Sequence, residues 1–145
     1  MTRILLLGAS LLLALGCAMP AERVQLRPLP ENGQVLPYAE LLTRVRAQAN
    51  KANEAFYLDR WDELEDMAKG IEQTSRFLSK AEEVPEKNKR ILKDVTIDLS
   101  KSAQRLREAA VTHNVKDSTE SLQQIIAKIR DLRLTDEGVD QPKKE

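Results

Sequence analysis

An all-α fold, an antiparallel four-helix bundle made of two helical hairpins, is what this sequence predicts. Three observations carry that prediction. Charged residues make up 32% and aromatic residues 3% of the 145 positions, with only 5 glycines. Ala, Leu, Glu, Lys, Arg and Gln dominate, the composition of long helices. Four separate stretches repeat apolar residues at alternating steps of three and four, the spacing of one helix face. Finally, the second and fourth stretches superpose at a constant offset of 54 residues: Trp61 on Val115, Ala68 on Leu122, Ile71 on Ile125 and Leu78 on Leu132. Four facing stripes bury one another, which a single hairpin cannot achieve.

Residues 1–16 read as a secretory signal. Met1-Thr2-Arg3 gives a cationic start, Ile4 to Leu15 an apolar run broken by Gly8 and Ser10, and Ala14-Leu15-Gly16-Cys17 a small-residue cleavage region. Cys17 is the only cysteine, so no internal disulfide can form. Leu15-Gly16-Cys17 at the end of such a core resembles the lipobox of bacterial lipoproteins, with Ala14 where that family prefers Leu. The resemblance implies cleavage before Cys17, diacylglycerol on its thiol and acylation of the new amino terminus. It also implies attachment at the periplasmic face of the outer membrane, because Ala18 rather than Asp follows the cysteine. Two other outcomes stay open. Gly16-Cys17-Ala18 is a small-x-small cleavage pattern whose cut would remove the cysteine. An uncleaved anchor would need about 20 apolar residues, more than this run offers.

Residues 17–37 form the expected tether. Four of the six prolines stand here, Pro20, Pro28, Pro30 and Pro37, with Asn32-Gly33 as a turn signal. Fully extended, the tether would reach about 60 Å at roughly 3.1 Å per residue. With so little apolar content it is expected to give reach rather than to pack.

The bundle is expected over residues 38–134. Its first seam is Tyr38, Leu42, Val45, Ala49, Ala52 and Phe56, with Arg44, Arg46, Gln48 and Lys51 off it. Asp59, with Asp62 three residues on, then resembles a capping arrangement for the second helix. The second seam is Trp61, Leu64, Ala68, Ile71, Ser75 and Leu78, with Gly70 inside the helix at a cost of about 1 kcal/mol relative to Ala. Pro85 opens the third helix, whose seam is Leu92, Val95, Leu99, Ser102, Leu106 and Ala109. Thr112-His113-Asn114 marks a tight turn with Asn114 as cap. The fourth seam is Val115, Ser118, Leu122, Ile125, Ile129 and Leu132. Residues 135–145, polar with Gly138 and Pro142, read as a disordered tail.

The same residues narrow the chemistry. One histidine and one cysteine cannot supply a thiolate–imidazole zinc site, and no Glu-x-x-His pair of a di-iron bundle is present. No nucleophile elbow accompanies His113. Carboxylates lie on solvated helix faces, where nothing shifts one of a pair for acid–base work. No catalytic, cofactor-binding or metal residue is therefore assigned, and the expectation is a non-catalytic binding or structural module. With 23 basic and 23 acidic residues, the chain gives no electrostatic reason to expect nucleic acid. The expected partners are the membrane, through the lipid on Cys17, and a protein of the envelope.

The layout of residues 38–134 also resembles the haem-binding four-helix cytochromes of the c-prime and b types, in helix lengths, a longer middle connection and a tight turn into the last helix. The resemblance implies a periplasmic electron-transfer bundle carrying haem or metal, which is the alternative function. The family's ligands do not carry over. Arg130-Asp131-Leu132-Arg133-Leu134 stands where the c-prime type has Cys-x-x-Cys-His, and the early Met and late His of the b type are missing. The resemblance then implies a haem-less relative.

His113 reads as a helix-terminal residue favoured by the helix dipole, or as a pH-sensing or ligand group. Phe56, Tyr57, Trp61 and Phe77 are expected to gather at the first hairpin. Core packing is one outcome. The other makes Phe56, Tyr57 and Trp61 a candidate partner surface.

Overall fold

The computed structural model describes Leu26, Pro28, Leu29 and residues 36–133. The signal segment, Cys17, most of the tether and the tail lie outside the described residues. Four helices follow in order: α1 Tyr38–Tyr57, α2 Trp61–Leu78, α3 Glu86–Val111 and α4 Val115–Asp131. They form the antiparallel four-helix bundle that the seams predict. Neighbours in sequence pack side by side and α4 closes against α1, while the diagonal pairs do not meet. Among the described residues, no helix is long and apolar enough to cross a membrane.

The seams supply the core. Leu42, Val45, Ala52, Leu64, Ala68, Ile71, Leu78, Leu99, Leu106, Ile125 and Leu132 are all sealed from solvent. α1 buries a wider stripe than its predicted seam, because it lies between α2 and α4 and must face both. Leu41, Ala55, Arg44 and Gln48 join its buried set, so placing Arg44 and Gln48 off the seam is corrected. Gln48, 1% exposed, reaches across to α2, where its Oε1 accepts from Thr74 Oγ1 at 2.9 Å. Gly70 makes this possible: a Cβ there would stand 2.8 Å from Gln48 Nε2. The glycine is thus a seat for the glutamine amide, beyond the helix-propensity cost that the sequence suggests.

The 54-residue offset extends well beyond the seams. α1 ends at Tyr57 and α3 at Val111; α2 begins at Trp61 and α4 at Val115. Buried Leu41, Val45, Ala49, Ala52 and Ala55 map onto buried Val95, Leu99, Ala103, Leu106 and Ala109. At the same offset the second hairpin carries a polar pair closer to the surface, with the sizes exchanged. In the first hairpin the long amide is Gln48 on α1, over Gly70 on α2. In the second it is Gln124 on α4, accepting from the small Ser102 on α3 at 3.2 Å. Gln48 corresponds to Ser102, and Gly70 to Gln124, at the same offset.

The chain enters and leaves at one end of the bundle. Tyr38 N donates to Glu82 O at 3.0 Å, pairing the entry to α1 with the exit from α2. The buried Tyr38 hydroxyl donates to Leu132 O at 2.7 Å and accepts from Asn88 Nδ2 at 2.9 Å. The same Asn88 amide reaches Arg133 O at 3.1 Å. One tyrosine thus clasps the start of α1, the first turn of α3 and the end of α4. Burial raises the Tyr38 pKa above its ordinary value, against the opposing pull of the Asn88 hydrogen bond and of Arg46.

Candidate partner-binding tip

The opposite end is made by two turns of the same construction. At the end of α1, Leu58 N donates to Glu54 O and Asp59 N to Phe56 O, while Arg60 N reaches back to Ala55 O at 2.9 Å. At the end of α3, Thr112, His113 and Asn114 repeat these bonds to Glu108, Ala110 and Ala109. The pivot of each turn is a non-glycine residue in the left-handed region, Asp59 at φ 53° and His113 at φ 52°. Such a pivot closes a helix by satisfying its last carbonyls. Asp59 therefore ends α1, and the expected Asp59 cap on α2 is corrected: Arg60 holds the N-cap position without a side-chain cap bond. Asn114 does cap α4, accepting from Asp117 N at 3.1 Å.

These turns bring three of the four expected aromatics together. Phe56 meets Trp61 edge to face, with centroids 6.0 Å apart, and Tyr57 edge-on at 5.8 Å. Phe77 stands in the last turn of α2, at the other end of the bundle, so its expected place in the cluster is corrected. Phe56 and Trp61 are half-buried against the core, whereas Tyr57 is 75% exposed. Leu58, Val111 and Val115 are exposed at the same end of the bundle. Val115, expected in the fourth seam, instead tops α4 at 58% exposure because the core ends one turn below it, at Ser118.

His113 lies flat on Trp61, with centroids 4.9 Å apart and planes 14° from parallel. This contact joins the two hairpins at the tip. Sequence reasoning treated His113 and the aromatics separately. The signal that links them is that both tight turns must fall at the same end of an up-and-down bundle. The Tyr38–Asn88 clasp left no such signal: Asn88 continues the spacing of the third seam four residues before Leu92, but its polar side chain does not read as core in the sequence.

The electrostatics of the tip are mixed in sign. Lys51 bridges Glu54 and Glu63 at 3.2 Å each, just below the first turn. Its hydrogen bonds to Glu54 and Glu63 raise the Lys51 pKa, and the bond from Lys51 lowers that of Glu63. Beside the second turn, an open groove of about 390 Å³ between α3 and α4 is lined by Arg105, Glu108, Thr112, Asp117, Glu120 and Gln124 among others. Among the described residues, no three His, Cys, Asp or Glu side chains are grouped to hold a metal. What the tip offers chemically is a small apolar and aromatic surface framed by charges of both signs.

No protein family, curated protein or solved structure matches this chain.

Proposed function

We propose that this protein is a non-catalytic, lipid-anchored module of the bacterial cell envelope. Its lipid is carried on Cys17 at the periplasmic face of the outer membrane. Its helical bundle presents the tip formed by Phe56, Tyr57 and Trp61 to an envelope protein. The observation that carries this reading is the 75% exposure of Tyr57 on a rigid aromatic base, at the end of the bundle remote from the chain's entry at Tyr38. Tyrosines so placed bind at low conformational cost, since the ring is already held. α1, with 20 residues, sets the tip about 30 Å from the entry end at 1.5 Å per residue. A cysteine carrying more than one acyl chain anchors stably, because each buried methylene contributes about 0.8 kcal/mol.

Two measurements test the two halves of this reading. Labelling cells with radioactive palmitate should mark the parent chain and leave Cys17→Ser unmarked; equal label refutes the anchor. A photo-crosslinking amino acid at Tyr57 should trap a defined envelope protein in intact cells, and one at exposed Lys101 should not. Tyr57→Ala should leave the melt within about 0.5 kcal/mol of the parent, as an exposed site does, and weaken partner capture. Trp61→Ala, by contrast, should damage folding. If Tyr57→Ala unfolds the domain as badly as Trp61→Ala, Tyr57 belongs to the core and the tip is no docking surface.

A further inference from the structure

The outward face of α2 holds Leu29 of the tether. Leu29 N donates to Gln73 Oε1 at 2.9 Å, and Gln73 Nε2 donates to Leu29 O at 2.8 Å. One side-chain amide thus pairs with both backbone groups of one residue, as the edge of a strand would. The Leu29 side chain is half-buried against the core. This corrects the expectation that the whole tether stays unpacked: two backbone bonds and one leucine are enough to dock it.

We propose that this face of α2 is a binding groove for a proline-flanked leucine segment, and that Leu29, with Pro28 beside it, is its resident ligand. The sequence of the ligand fits the geometry of the reader. Pro28 and Pro30 carry no N–H. Leu29 is therefore the one residue of Pro28-Leu29-Pro30 that offers both a donor and an acceptor, and Gln73 takes both. A residue that precedes proline is also biased toward extended backbone, so little ordering is needed on docking.

The internal repeat supplies a control for the reader. At the 54-residue offset, Met67, Gln73 and Phe77 of α2 correspond to Ser121, Ala127 and Asp131 of α4. The α4 positions hold no amide at the reading position and less apolar surface, and Leu29 lies on α2. The groove is also larger than its occupant. An open cavity of about 480 Å³ lies beside Leu26 and Pro28, floored by Asp66, Met67, Gly70 and Gln73. A competing segment of the same chemistry displaces Leu29 from Gln73.

The test uses the full mature chain and a synthetic peptide spanning residues 24–32. In the parent chain the Leu29 amide should be protected from hydrogen exchange. Gln73→Ala should speed its exchange about tenfold, the scale of one lost hydrogen bond, and leave Ile71 in the same helix unchanged. In a chain carrying Leu29→Pro, which removes the resident donor, the added peptide should shift the NMR signals of Met67, Gln73 and Phe77 saturably. The same peptide N-methylated at its leucine should bind about tenfold more weakly. Retained helical circular dichroism qualifies each variant. Three results overturn the proposal: Leu29 exchange that ignores Gln73→Ala, equal binding of the two peptides, or no binding up to about 1 mM, a typical effective concentration for a tethered segment.

Discussion

Gln48 and Gly70 show how a single residue's worth depends on its neighbour. Gly→Ala inside a helix ordinarily stabilises by about 1 kcal/mol. Here the new methyl meets the Gln48 amide at 2.8 Å, and that amide is already engaged with Thr74. Gly70→Ala should therefore gain little in the parent chain and about 1 kcal/mol once Gln48→Ala has vacated the seat. Urea melts of the four chains of this double-mutant cycle read the coupling; simple additivity would show that the two residues do not share the space. Tyr38 belongs to the same scale. Tyr38→Phe should cost about 1–3 kcal/mol, because Leu132 O loses its buried donor. The pH dependence has a definite sign. Since the folded pKa is raised, the neutral phenol is the form the fold prefers. Its contribution is fully present below the unfolded value of about 10 and is lost as pH rises through the folded pKa. The stability gap between parent and Tyr38→Phe should accordingly shrink above about pH 10.

Among the elements, α3 gives the cleanest test of helix phase. Leu99 is fully buried in its middle, and Lys101 two residues on is exposed. Leu99→Ala should cost about 2–5 kcal/mol, and Lys101→Ala should stay within about 0.5 kcal/mol. Coincident urea midpoints would mean that the helix is rotated from the phase described. The phase of all four helices was legible from steps of three and four, since burial on one side demands that spacing. The width of the α1 stripe was not legible. A seam of single residues cannot show that a helix has two neighbours, so Arg44 and Gln48 fall off it in the sequence. The turns were legible in place but not in role. Asp59 scores as a helix starter by composition, while its backbone closes the helix before it. The candidate tip was half legible: Phe56, Tyr57 and Trp61 adjoin in sequence, but the His113 that stacks on Trp61 comes from the other hairpin.

For the whole molecule, the internal repeat is the organising fact. The inner helix ends at the tip, the turn bonds, the left-handed pivots and most buried positions recur at the same spacing, so the bundle is two similar hairpins. The repeat was visible most plainly in the second and fourth seams, with the first and third following loosely from Val45 on Leu99 to Ala52 on Leu106. It could not be separated from shared helical periodicity until the two turns proved alike bond for bond. The departures from it mark where the halves differ in use: Tyr57 stands where the second hairpin has Val111, and Gln73 where it has Ala127. The tether was least legible, because counting apolar side chains says nothing of a backbone unit gripped by one amide.

The clasp between Tyr38 and Leu132 bears on the order in which the chain is written. The bundle's entry and exit are already neighbours, so a short glycine linker from Arg133 back to Leu36 closes the bundle without disturbing either helix. The chain can then be reopened between Ala81 and Pro85. The resulting circular permutant reads α3, α4, α1, α2. It asks of each helix only the packing contacts it already makes. We expect it to fold to the same helical content and to melt in a single cooperative transition. A permutant that is helical but melts in two steps would instead show that covalent continuity through residues 82–84 is what couples the two halves.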